Sequence, residues 1–156
     1  MIRLISIDKT KLRYYVKLAF EGDTELLESL HVSPGTLDHC VDNTVDYIDK
    51  DEMHFGKSME FYAVVLDVET VIGYTIVIRH KTGDNELYSF GIRKEYRTVE
   101  NKRDWLCRIK TVAANLKVIL WSKNRRAIGF FKKNNCIIEP IMSDINKTLI
   151  VMDGDA

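Results

Sequence analysis

The stretch from Glu86 to Cys136 constrains the fold of this chain more than any other. Glu86–Ile92 predicts a strand, Arg93–Thr98 a turn, and a basic helix runs on to about Asn115. Leu116–Trp121 predicts a second strand and Asn124–Cys136 a second helix. A strand–helix–strand–helix run of this kind implies a parallel strand pair with a right-handed crossover. In such sheets a ligand usually sits at the carboxyl ends of the strands, beside the N-terminus of the crossover helix.

The segments before this stretch predict an N-terminal strand, two helices and a meander. Ile2–Ile7 alternates as a first strand, and Asp8 can cap the helix that follows. Leu12, Tyr15, Val16, Ala19 and Phe20 form an amphipathic stripe, ended by Glu21-Gly22-Asp23. Ser33-Pro34 signals a second helix start, with Leu37, Val41, Val45 and Ile48 on one face. Asp49–Met59 is polar and reads as a loop. Phe61–Asp67 and Val71–Arg79 are rich in β-branched and aromatic residues, and their short link predicts an antiparallel hairpin. Gly91 suggests a bulge in the strand from Glu86. Cys136–Pro140 and Lys147–Met152 read as two closing strands. The order is βααβββαβαββ, an α/β class with a mixed sheet. At 156 residues the chain reads as one domain.

Net charge is zero, with 23 basic and 23 acidic residues, so it names no partner; its distribution is uneven. Acids dominate Glu21–Glu60, against Lys50 and Lys57, whereas bases dominate Arg93–Lys133. One reading is a basic substrate on one side and an anionic ligand on the other. The other is two solvated helix faces of opposite sign. Cys40, Cys107 and Cys136 are odd in number and widely spaced, each in an element expected to be partly buried. Reduced thiols of a cytoplasmic protein account for them. No secretory signal follows Met1, and no apolar run approaches the roughly 18 residues of a membrane helix. His54 and His80 have no metal-ligand partner at zinc spacing and read as surface residues. Arg125-Arg126 and Lys132-Lys133 come without an RNA-binding aromatic motif or a zinc knuckle, which argues against nucleic acid.

The run Asn124-x-x-Ala127-x-x-Phe130-Phe131-x-Lys133, then Asn135-Cys136, resembles a segment of the GNAT superfamily of N-acetyltransferases, Asn-x-x-Ala-x-x-Phe-Tyr-x-Lys-x-Gly-Phe. Ile92-Arg-Lys-Glu-Tyr-Arg97 resembles the start of that family's cofactor loop, and Val71-Ile-Gly73 its hairpin. The resemblance implies a GNAT-like sheet in which the fourth and fifth strands splay around acetyl-CoA. It implies cofactor contacts from Ile92, Arg97, Lys102, Arg103 and Asn124, with Arg125 and Arg126 at positions that contact the cofactor or face solvent. Glu86 matches a general base acting through water, and Tyr88 could supply a phenol; edge and cleft-wall roles are the alternatives. Ser89 and Ser122 are candidate contacts to cofactor amides, and His31 and His39 flank the acceptor-pocket position.

Two departures accompany the match. The family's phosphate loop, Arg/Gln-x-x-Gly-x-Gly/Ala, carries Glu100 and Lys102 at its glycine positions. Side chains there crowd the backbone, and Glu100 adds a like charge beside phosphates. The tyrosine that many members use as a general acid is Phe131, which has no proton to give. Two functions follow as expectations. One is an acetyl-CoA-dependent N-acetyltransferase acting on a cationic small-molecule or peptide amine. The other is a catalytically inactive binding or assembly module, with a protein partner or as a homo-oligomer. Small degenerate proteins of this kind also occur among tailed bacteriophages, which would place such a chain in the host cytoplasm or the virion.

Overall fold

The structure, a computed structural model, describes residues 1–23 and 37–152. His31 and the Ser33-Pro34 helix signal lie outside the described residues. Among the described residues seven strands form one sheet in the order β1-β2-β3-β4-β5-β7-β6. They are β1 Ile2–Ser6, β2 Met59–Leu66, β3 Thr70–Arg79, β4 Asn85–Ile92, β5 Leu116–Trp121, β6 Ile137–Pro140 and β7 Lys147–Val151. Helices α1 Leu12–Phe20, α2 Leu37–Phe55, α3 Val99–Val112 and α4 Arg125–Lys133 complete the expected order.

The two sheet faces are covered by different helices. Leu12, Val16, Ala19 and Phe20 of α1 join Cys40, Val41 and Ile48 of α2 over Phe61, Tyr74, Ile76 and Ile78. On the other face Trp105, Leu106 and Ile109 of α3 and Phe131 of α4 pack on Ile2, Val64, Ile72, Val77 and Leu87. Two polar anchors fix α3: Trp105 Nε1 donates to buried Thr75 at 3.0 Å, and the Ile2 amide donates to Asp104 at 2.6 Å. Just past the end of α4, Asn135 stands at φ 65°, so it takes the left-handed turn the sequence suggested.

Helix α2 runs past the loop expected from Asp49, because its apolar stripe continues to Phe55, which packs on the α1–α2 core. Its acids are also neutralised from outside the segment. Lys9 pairs with Asp49 and Glu52, Arg13 with Asp42, and Lys17 with Asp38. Four acids of the run thus form one side of a ladder facing Lys9, Arg13 and Lys17, whose exposed rungs each contribute little. Cys40 and Cys136 are buried, while Cys107 is exposed, contrary to expectation. Cys107 lies between Leu106, which is buried, and Arg108, on the solvent side of α3.

Candidate functional site

β4 and β5 are parallel, as expected, but they pair only at Asn85↔Leu116 and Glu86↔Lys117. Beyond those two pairs β5 turns to β7 while β4 stays with β3, so the strands part toward their carboxyl ends. A bulge sits in β4 at this point. Ile76 pairs with Ser89 and Val77 with Leu87, leaving Tyr88 as the extra residue. Tyr88 and Ser89 consequently both face α1 and α2. The bulge is therefore not at Gly91, as the sequence suggested. Gly91 instead permits close helix packing: a Cβ there would stand 2.9 Å from Ala19 Cβ and 3.2 Å from Tyr74 Cε1.

The bulge gathers hydroxyls and carboxylates. The Tyr88 hydroxyl donates to Asp51 of α2, and burial, followed by that hydrogen bond, pushes its pKa well above the ordinary tyrosine range. Tyr74 and Ser89 share a 2.8 Å hydrogen bond, and burial pushes the Tyr74 hydroxyl up to about 12. Glu86 Oε1 lies 3.0 Å from His80 Nε2, and the His80 ring packs edge-on to Phe55. His80 is thus half-buried and paired, not the surface residue expected; the signal lay in the strand register, since Ile78↔Glu86 puts Glu86 beside the end of β3. His54 and His39 are exposed. The structure brings Glu86 and Tyr88 to one side of the sheet, with Asp51 and His80 as partners the sequence did not pick out.

The residues expected to contact a cofactor make the following contacts within the chain. Arg97 Nε donates to the Ile92 carbonyl at 2.7 Å, and its guanidinium pairs with Asp23. At the start of α3, Thr98 is the N-cap and its hydroxyl accepts from the Asn101 amide at 3.1 Å. Asn101 Nδ2 donates to the Tyr96 carbonyl at 2.9 Å. Lys102 Nζ lies 5.4 Å from the centroid of the Phe130 ring, and Arg103 is exposed. Asn124 caps α4, its side chain accepting from the Ala127 amide. Ser122 bonds to Thr148 of β7 at 2.8 Å, away from β4. Phe131 is fully buried, its ring 5.9 Å from Phe90 of β4 and 5.2 Å from Phe130.

Among the described residues no group of three potential ligands could hold a metal ion, and no helix is long and apolar enough to cross a membrane. The parallel, parting β4–β5 pair in a mixed seven-stranded sheet is the arrangement expected of a GNAT-like acetyltransferase fold. Solved structures of such proteins superpose on nearly the whole chain. An acetyltransferase from Thermus thermophilus matches with a TM-score of 0.74 at 15% identity, over 97% of this chain and 96% of its own. A probable acetyltransferase of the GNAT family from Chromobacterium violaceum gives 0.70 at 13%, over 98% and 83%. Spermidine N-acetyltransferase from Vibrio cholerae, solved with CoA and spermine, gives 0.62 at 12%, over 97% and 93%. No family model matches the chain, and no curated protein matches it by sequence.

Proposed function

We propose that this chain is a binding module of the acetyltransferase fold that holds a cationic amine beside β4 and transfers no acetyl group. The self-capped start of α3 carries this reading. The pyrophosphate of acetyl-CoA needs backbone N–H groups at that helix start. Here the Thr98 hydroxyl takes the Asn101 N–H, and Glu100 adds a carboxylate to the first turn. Arg97, the cation nearest in sequence, is held by Ile92 and Asp23. Phe131, at the family's proton-donor position, is walled in by Phe90 and Phe130. Together these contacts argue against a fit to acetyl-CoA.

The amine side is supported by two carboxylates outside the α1–α2 ladder. Asp51 and Glu86 flank Tyr88 at the bulge, and Tyr47, 68% exposed, borders them on α2. A polyammonium ligand would gain charge-assisted bonds to both carboxylates. The spermine-bound neighbour is consistent with this class of ligand.

Thermal melts of the full chain test the reading. Spermine should raise the melting temperature, and Asp51→Asn with Glu86→Gln should abolish the rise. Acetyl-CoA should leave the melting temperature unchanged, and a thiol assay with both ligands should detect no CoA release. An acetyl-CoA shift at sub-millimolar concentration refutes the module. In that case Glu100→Gly with Lys102→Gly should strengthen the shift further. One observation favours a second reading, amine acetylation: Glu86 and His80 form a carboxylate–imidazole pair where the strands part, as a proton acceptor requires. CoA release that Glu86→Gln removes would establish it.

A further inference from the structure

The carboxyl end of β4 holds a feature that neither the motif nor the fold required. Asp23 is fully buried, although its side chain is a carboxylic acid. Its placement follows from local geometry. α1 ends at Phe20; Gly22 adopts φ 77°, which glycine tolerates and other residues rarely do; and the Asp23 amide bonds back to the Phe20 carbonyl at 3.2 Å. The left-handed turn sends the Asp23 side chain inward. There it meets Arg97, which precedes α3, and Arg126, which opens α4 with Nη1 at 3.9 Å from Oδ1. Arg97 in turn holds the last carbonyl of β4 through Ile92. One carboxylate therefore ties together the ends of α1 and β4 and the starts of α3 and α4.

Burying a carboxylate is costly unless it is paired and hydrogen-bonded. Two arginines converging on the mouth of a parallel strand pair are also what an anionic ligand would use. We propose that Asp23 is an internal anion that occupies a latent phosphate-type site formed by Arg97 and Arg126. The inference rests on the proposal above that no cofactor pyrophosphate is bound, and it names the group that takes the place of one. In this chain the counter-ion is covalently part of the segment that follows α1, so its pairing is intramolecular and costs no association entropy. Replacing the carboxylate by an uncharged group should leave Arg97, whose side chain is largely buried, in need of an anion, and so open the site.

The experiment uses the full chain, Asp23→Asn, and Asp23→Asn with Arg97→Gln, each melted in chloride and in inorganic pyrophosphate at matched ionic strength. The wild type should show no pyrophosphate shift. Asp23→Asn should melt lower than wild type and be raised selectively by pyrophosphate, with a midpoint in the millimolar range or below. The double variant should lose most of that response. If Asp23→Asn does not fold in chloride, refolding in pyrophosphate should recover it. A single variant that ignores pyrophosphate, or that fails to refold in it, overturns the proposal. So does a double variant that responds as strongly, or a wild type that responds like Asp23→Asn. Acetyl-CoA binding to the wild type would instead refute the module reading, which an unresponsive Asp23→Asn leaves intact.

Discussion

Phe131→Tyr restores the phenol that many acetyltransferases of this fold carry, and it should destabilise the protein. The ring is fully buried, in contact with Phe90 at 84° and Phe130 at 61° between ring planes, so both neighbours present apolar surface. An added hydroxyl without a partner costs about 1–3 kcal/mol in protein mutational data. Fitting one more heavy atom into a close-packed aromatic cluster adds a comparable term, about 1 kcal/mol at the low end. The sum is about 2–4 kcal/mol. At this chain length each kcal/mol lowers the melting temperature by about 2–4 °C, so the drop should be at least ~4 °C. Circular dichroism melts and urea titrations of both proteins measure it, with Phe131→Ala, expected at about 3–5 kcal/mol, as the upper reference. A tyrosine variant that melts within ~1 °C of wild type would mean that the hydroxyl reaches water or a polar partner. The space beside β4 would then be open where the aromatic contacts close it, and a thioester could be accommodated there.

Other perturbations test separate parts of the structure. Gly73→Ala should abolish folding, because its Cβ would stand 2.0 Å from the Gly91 carbonyl oxygen, a backbone atom of the adjacent strand; Gly91→Ala, at 2.9 Å from a methyl group, should cost only about 1–3 kcal/mol in urea unfolding. Tyr74 and Tyr88 have hydroxyl pKa values raised in the folded state, so their contribution is intact below the unfolded value near ~10 and is lost as pH rises toward about 12. Stability should therefore fall over that alkaline window, and less steeply in Tyr88→Phe. Cys107 should react with a disulfide reagent in the native protein, whereas Cys40 and Cys136, buried and with raised thiol pKa values, should react only on unfolding.

The element order was legible because its signals are local. The stripe of α1, the β-branched hairpin and the Asn124 cap each depend on residues a few positions apart. The end of α2 is not legible locally, because Asp49 and Glu52 look like loop residues until Lys9 is brought beside them. Glycine is the usual sequence sign of a bulge and points to Gly91, whereas register against β3 puts the bulge at Tyr88. Glu86 and Tyr88 were picked out from the motif, but their partners His80 and Asp51 come from other elements and carry no motif of their own.

The sequence by itself determined the succession of strands and helices and the parallel crossover from β4 to β5. Those depend on periodicity, connection length and residue identity, all read along the chain. Only the tertiary structure decided how charge is distributed. It matched the acids of α2 to the bases of α1, left Asp51 and Glu86 at the bulge, and placed Asp23 between Arg97 and Arg126. Electrostatic partnership falls off with distance in space, and a linear order of residues carries no such distances until the sheet is assembled.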